Sequence, residues 1–245
     1  MLDLDLFHYR QFAGVQLLAA APAYGFVVLL ILLPIRLVGI DGMSAPEVGQ
    51  TMFAMSAPLL VLPLLAGSLT LWLSPAALCG LGLVVSSLGV FWLGLVPIGA
   101  RPADFVPALL VIGVGISLPW GLMDGLAVSV VPKERAGMAA GIFGTVRVAG
   151  EGIALALVTA LLSSLAQAEI SELVSVPTTS SLISERLATG DFGGASALAP
   201  EVPPSTLLAS YGDAFGAHTV CLAAITLITA VIVFFSLRRP GSGQG

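Results

Sequence analysis

The sequence predicts an all-α membrane protein, a bundle of six transmembrane helices. Three observations predict it. Hydrophobic residues fill 57% of the 245 positions and charged residues only 9%, against about a quarter charged in an ordinary soluble domain. The mean hydropathy is +1.04. Whole segments are apolar around their full circumference, where a soluble helix keeps one polar face. No charged residue occurs between Glu47 and Arg101, which is room for two spans of about 20 residues and a turn.

The spans follow in order. A lead-in over 1–11 precedes the first span at 12–35; MLDLDLFHYR is acidic and has no basic n-region, so no secretory signal is expected there. The second span is expected at 48–67, the third at 75–96, the fourth at 105–131 and the fifth from 136 to about 165, so that 12–166 holds helices one to five. Residues 167–211 are rich in Ser, Thr, Pro and acids, and read as a long extracytoplasmic loop with a short amphipathic helix around Leu182 to Leu187. The sixth span covers 212–237 and a tail follows over 238–245.

Arg10, Lys133, Arg135, Arg238 and Arg239 fall on one side, and Arg36, Arg101 and Arg186 on the other. The positive-inside rule then places both termini in the cytoplasm, in a multi-pass protein of the cell (inner) membrane. The net charge of −5 comes from acidic loops and implies no nucleic-acid partner. Cys79 and Cys221 lie in apolar runs without metal or redox spacing, and read as small buried hydrophobes. Pro22, Pro58, Pro63 and Pro119 fall within spans. Each lacks a backbone N–H, frees a carbonyl one turn earlier and is expected to bend its helix.

Asp124, Arg147 and Glu151 are charged residues inside spans. Such a group at the middle of a helix costs about 2.5–3.5 kcal/mol on the insertion scale, and it commonly faces a protein interior or an aqueous path. Arg147 and Glu151 stand four apart, one turn above each other. They read either as a gate or proton relay, or as an ion pair that neutralises itself and pins two helices. Asp124 has no basic residue at helical spacing on its own span. It reads as a proton-loading carboxylate, or as a partner of Arg147 or of a nearby Ser or Trp. Gly137, Gly141, Gly144, Val148 and Gly152 form a smooth stripe on the fifth span, suited to close approach of another helix. Tyr24, Phe26, Gln16 and Trp120 could line a cavity for an apolar cation, or serve packing. His8 and His218 read as interfacial or structural. HExxH, GxxxxGK[ST] and CxxC are absent, so no enzyme, metal site or cofactor is expected. Without a nucleotide site, transport would draw on an ion gradient.

VPKERAGMAAGIFGTVRVAGEGIALAL, residues 131–157, resembles the penultimate helix of the major facilitator superfamily, in its fourteen-helix drug:proton antiporter branch. Arg135, Gly137, Ala139, Gly141, Arg147 and Gly150 match the recurring pattern, and Glu151 departs from it. LDLDLFHYRQF resembles that branch's segment leading into its ninth helix. GSLTLWLSP, residues 67–75, stands where the family has a charged gating loop, and has lost its acid and its basic residues. The resemblance implies one half of a major facilitator fold: the C-terminal bundle of a proton-driven exporter of small amphipathic compounds or drugs. As half of a carrier the chain is expected to be a fragment, inactive without its N-terminal bundle or a second copy. The glycine stripe would dock that other half, and Asp124 would face the cavity. A membrane scaffold or a homodimeric half-carrier is the alternative.

Overall fold

The computed structural model describes residues 10–174 and 176–238. His8, Arg239 and most of the 1–11 lead-in and the 238–245 tail lie outside them. Among the described residues there is no strand. Six helices are long and apolar enough to cross a membrane: α1 Arg10–Gly39, α2 Ala45–Leu69, α3 Pro75–Gly94, α4 Pro102–Ser129, α5 Lys133–Leu173 and, after two short helices, α8 Pro204–Leu237. The short ones are α6 Pro177–Ala188 and α7 Phe192–Leu198.

Starts are marked by capping chemistry. The Glu47 carboxylate accepts from the backbone N–H and the hydroxyl of Ser44 before α2, the Ser74 hydroxyl accepts from the Ala77 N–H at the start of α3, and Asp191 accepts from the Gly194 N–H before α7. Pro22 is followed by a π-helical turn, Ala23–Val27, inside α1. Pro58 sits in a 3-10 turn, Ala57–Leu60, and Pro63 opens the second half of α2. Pro119 differs, since α4 runs helical through it to Ser129. The carbonyl one turn before Pro119 belongs to Gly115, and it lies against Gly82 of α3, where an added Cβ would come within 2.5 Å of it. Only a glycine lets the α3 backbone cover that freed oxygen so closely.

The expected loop at 167–211 is a correction. It is mostly helical, because burial continues in steps of four through Val158, Leu162, Ala166 and Ile170, carrying α5 on to Leu173. Leu182 to Leu187 do form helix, within α6, whose Ile183 and Leu187 are buried. α8 begins two turns before residue 212 and buries Leu207 and Tyr211.

α3 packs between α4 and α8; α1 touches α8, α5 and α4; α2 leans chiefly on α4. Gln11, Ser74, Ser129 and Arg238 surround one cavity of about 560 Å³, so these ends of α1, α3, α4 and α8 share one end of the bundle. The opposite end gathers Arg36, Pro97 and the helical segment after α5, whose Gly190 (φ +77°) closes on Gly39 backbone to backbone. Among the described residues, Arg10, Lys133, Arg135 and Arg238 fall at the first end and Arg36, Arg101 and Arg186 at the other.

Candidate functional site

Asp124 lies five residues before the end of α4, about 8 Å along the axis from its last residue. It is therefore nearer the bundle end that carries Arg10 than the middle of the span. Its Oδ1 is 3.5 Å from Nη1 of Arg147 on α5, with the Asp124 side chain 69% exposed and Arg147 32%. The Arg147 guanidinium also lies 5.9 Å from the Phe143 ring centre. Among the described residues nothing pairs Arg147 with Glu151, so the self-neutralising pair does not form. The reason is directional. Helical side chains lean toward the N-terminus, which carries Arg147 toward Phe143 and away from Glu151. The order Arg-then-Glu is also the weaker one at this spacing. Glu151 stays half-buried one turn further on.

The glycine stripe faces open space. A Cβ added at Gly137, Gly141, Gly144 or Gly152 would meet nothing within 4 Å, and Val148 between them is 67% exposed. Gly150 alone in this stretch meets another helix, through Ala20 of α1 at 3.5 Å. Of the most apolar stretch of each span, only 11% is buried in α5 and 17% in α2, against 61% in α1 and α3. The close glycine approaches are made elsewhere, by Gly82 and Gly89 of α3 and Gly113 and Gly115 of α4. Those glycines draw α2, α3 and α4 together, and α5 is left with a smooth uncovered face.

Tyr24 and Phe26 both fall in the π turn of α1, a local irregularity that recurs at functional sites. Phe26 is buried and meets Trp120 of α4 edge-on at 5.8 Å. The Tyr24 hydroxyl donates to Thr229 Oγ1 of α8 at 2.5 Å. Tyr24 and Trp120 are half-buried. Phe26 is thus core packing, and the π turn anchors α1 to α4 on one side and α8 on the other. Gln16, about two helical turns earlier, is buried with neither amide atom bonded, as is the Ser86 hydroxyl of α3. His218 is wholly buried beside Phe215, with neither ring nitrogen in a well-formed hydrogen bond.

One charged cluster escapes sequence reasoning. The Arg36 side chain, counted there only by its side of the membrane, is 1% exposed and that of its partner Asp41 0%. Arg36 Nε donates to Asp41 Oδ2 at 3.2 Å, and Nη2 donates to the carbonyls of Val96 and Pro97 at 2.9 and 3.2 Å. Asp41 Oδ1 accepts from the Gly99 N–H at 2.7 Å. The guanidinium lies 4.3 Å from the Phe215 ring centre and 5.3 Å from that of Phe105. One side chain so ties the end of α1 to the α3–α4 turn, α4 and α8. The signal in the sequence is faint: an Arg one turn before the helix end, and an Asp just past it, ahead of Gly42 (φ +70°).

Fold and site together define an integral membrane protein of six apolar helices with charged side chains kept at helix–helix contacts. Among curated proteins the chain is similar to an uncharacterized transporter of Escherichia coli (strain K12), YebQ, with 29% identity over 131 residues. The match covers 54% of this chain and 29% of YebQ, so it spans less than a third of that transporter's length. No family model matches the chain.

Proposed function

We propose that this chain is one bundle of a membrane transporter, a proton-coupled carrier that exports small amphipathic compounds or drugs across the cell membrane, with both termini in the cytoplasm. The six apolar helices and the similarity to a transporter support the coarser reading of a membrane transporter. The finer one takes the drug:proton branch of the major facilitator superfamily as its frame, and one observation carries it: an exposed carboxylate and a guanidinium meet across α4 and α5.

Asp124 is exposed on this chain near one bundle end, and Arg147 is its only ion-pair partner among the described residues. Protonation of Asp124 removes the charge that holds Arg147 and so loosens the contact between α4 and α5. The uncovered face of α5 and α2 takes a second six-helix bundle, an N-terminal one or a second copy, since alternating access needs two bundles about one site. Lipid covers the rest. No cofactor takes part; the proton gradient supplies the driving force.

The test is efflux in everted membrane vesicles that hold the native product, with tetraphenylphosphonium as probe. Wild type should accumulate the cation when a pH gradient is imposed, and Asp124→Asn should not, at equal amounts in the membrane. Equal accumulation by both would overturn the coupling role; accumulation driven by ATP would overturn the class.

A further inference from the structure

We propose that the turn between α2 and α3, residues 70–73, is an interfacial lipid anchor, with Leu71 and Trp72 inserted at the boundary between acyl chains and headgroups. Leu71 is 84% exposed, Trp72 86% and Leu73 43%, and about two turns back on α2 Leu64 is 81% exposed. A soluble turn of this length carries polar residues, and four large apolar side chains in open water would be an unusual liability.

Two further observations select lipid as the occupant. The first is polar accounting. The backbone N–H groups of Thr70, Leu71, Trp72 and Leu73 all donate within the turn, to Gly67, Ser68 and Leu69. The Ser68 and Thr70 hydroxyls donate to Leu65 and Gly67. The turn's N–H and hydroxyl donors are therefore satisfied without water, which suits a segment seated where acyl chains meet headgroups. It also carries no charge: Glu47 and Arg101, the nearest charged residues in sequence, both belong to the other end of the bundle.

The second is depth. Glu47 fixes the start of α2 in water, fully exposed and holding Ser44. From there to Leu69 is a helical rise of about 33 Å, close to the ~30 Å hydrocarbon thickness. α3 gives the same answer. Trp72 stands just before its start, and Trp92, 46% exposed, lies near its end. The helical rise from Pro75 to Trp92 is about 26 Å, which puts the two tryptophans near opposite boundaries of the ~30 Å hydrocarbon. Covering by protein would need no such match of length and would not favour tryptophan at both boundaries.

The inference does not depend on Asp124 coupling transport. It is tested on the native product, reconstituted in phosphatidylcholine vesicles, with Trp92→Phe, Trp120→Phe and any tryptophan outside this sequence replaced likewise, so that Trp72 alone emits. Lipids brominated near the top of the acyl chain should remove most of its emission, lipids brominated near the chain end should remove less, and acrylamide should have little effect. Strong acrylamide quenching without a bromolipid effect would place the turn in water; insensitivity to both would place it under protein. Either overturns the proposal. Because Trp120 packs on Phe26, a second probe guards against a folding defect: Leu71→Cys carrying a nitroxide, with Cys79→Ala and Cys221→Ala. Oxygen should relax it more than a water-soluble nickel chelate does, and the reverse order refutes lipid contact.

Discussion

Asp41→Asn is the change whose cost the structure sets most clearly. Arg36 and Asp41 are 1% and 0% exposed, so neither charge has water to fall back on. Asparagine keeps an oxygen for the Gly99 N–H but leaves the guanidinium buried with two carbonyls and two aromatic faces and no counter-charge. Removing one member of a buried pair costs about 3–5 kcal/mol. For a chain of this size that is a fall in unfolding temperature on the order of 10 °C, read by thermal unfolding of purified protein in detergent. Arg36→Lys should also be damaging, because a lysine cannot bridge a carboxylate and two carbonyls with one planar fork. The paired change Arg36→Met with Asp41→Asn should recover part of the loss, since no uncompensated charge remains. A cost below about 1 kcal/mol for Asp41→Asn, the size of an exposed pair, together with simple additivity in the double variant, would refute the reasoning.

Other outcomes follow from single contacts. Gly115→Ala places a Cβ within 2.7 Å of the Ser86 Cα and 2.6 Å of the Gly82 carbonyl oxygen, so α3 and α4 must separate, at a cost of about 1–3 kcal/mol or more by thermal unfolding. Gly141→Ala meets open space and should instead raise the stability of the purified chain by up to about 1 kcal/mol through helix propensity. Tyr24→Phe removes the hydrogen bond to Thr229 and should cost about 1 kcal/mol, visible as a small fall in unfolding temperature. The Asp191 carboxyl is held below the ordinary carboxylate range by the hydrogen bond from Arg186 and by the Gly194 N–H. Its contribution is complete above about pH 4 and is lost as the pH falls through the lowered value. Limited proteolysis between α6 and α8 should therefore quicken in acid, and Asp191→Asn should remove that dependence.

The spans were legible because the hydrocarbon requirement is written in composition. A charge-free run from Glu47 to Arg101 can be read without knowing any contact. Ends were less legible where helices outlast the membrane. α5 continues eight residues past the expected end on a four-residue burial pattern shared with α6, and the polar composition of that stretch masks its periodicity. The glycine stripe, expected to receive another helix, is open within this chain. Which glycines receive a neighbour is not a property of one helix. Gly82 covers the Gly115 carbonyl that Pro119 frees, a pairing between helices that no single-span pattern encodes. The burial of Arg36 could not be read for the same reason: the carbonyls of Val96 and Pro97 that it binds come from a turn 60 residues away. Asp124 and Arg147 were singled out as charges in an apolar setting, and their meeting was one of the alternatives the sequence left open. Glu151 was placed on the right helix, but side-chain direction decided against its pairing with Arg147.

The central claim, that a proton on Asp124 is exchanged for a substrate, is tested most directly by proton release. Purified native product in weakly buffered detergent receives tetraphenylphosphonium while a pH indicator is followed. The account predicts that wild type releases protons on binding the cation and that Asp124→Asn binds the cation without releasing any. Binding with no proton release in wild type, or the same release in Asp124→Asn, would contradict it.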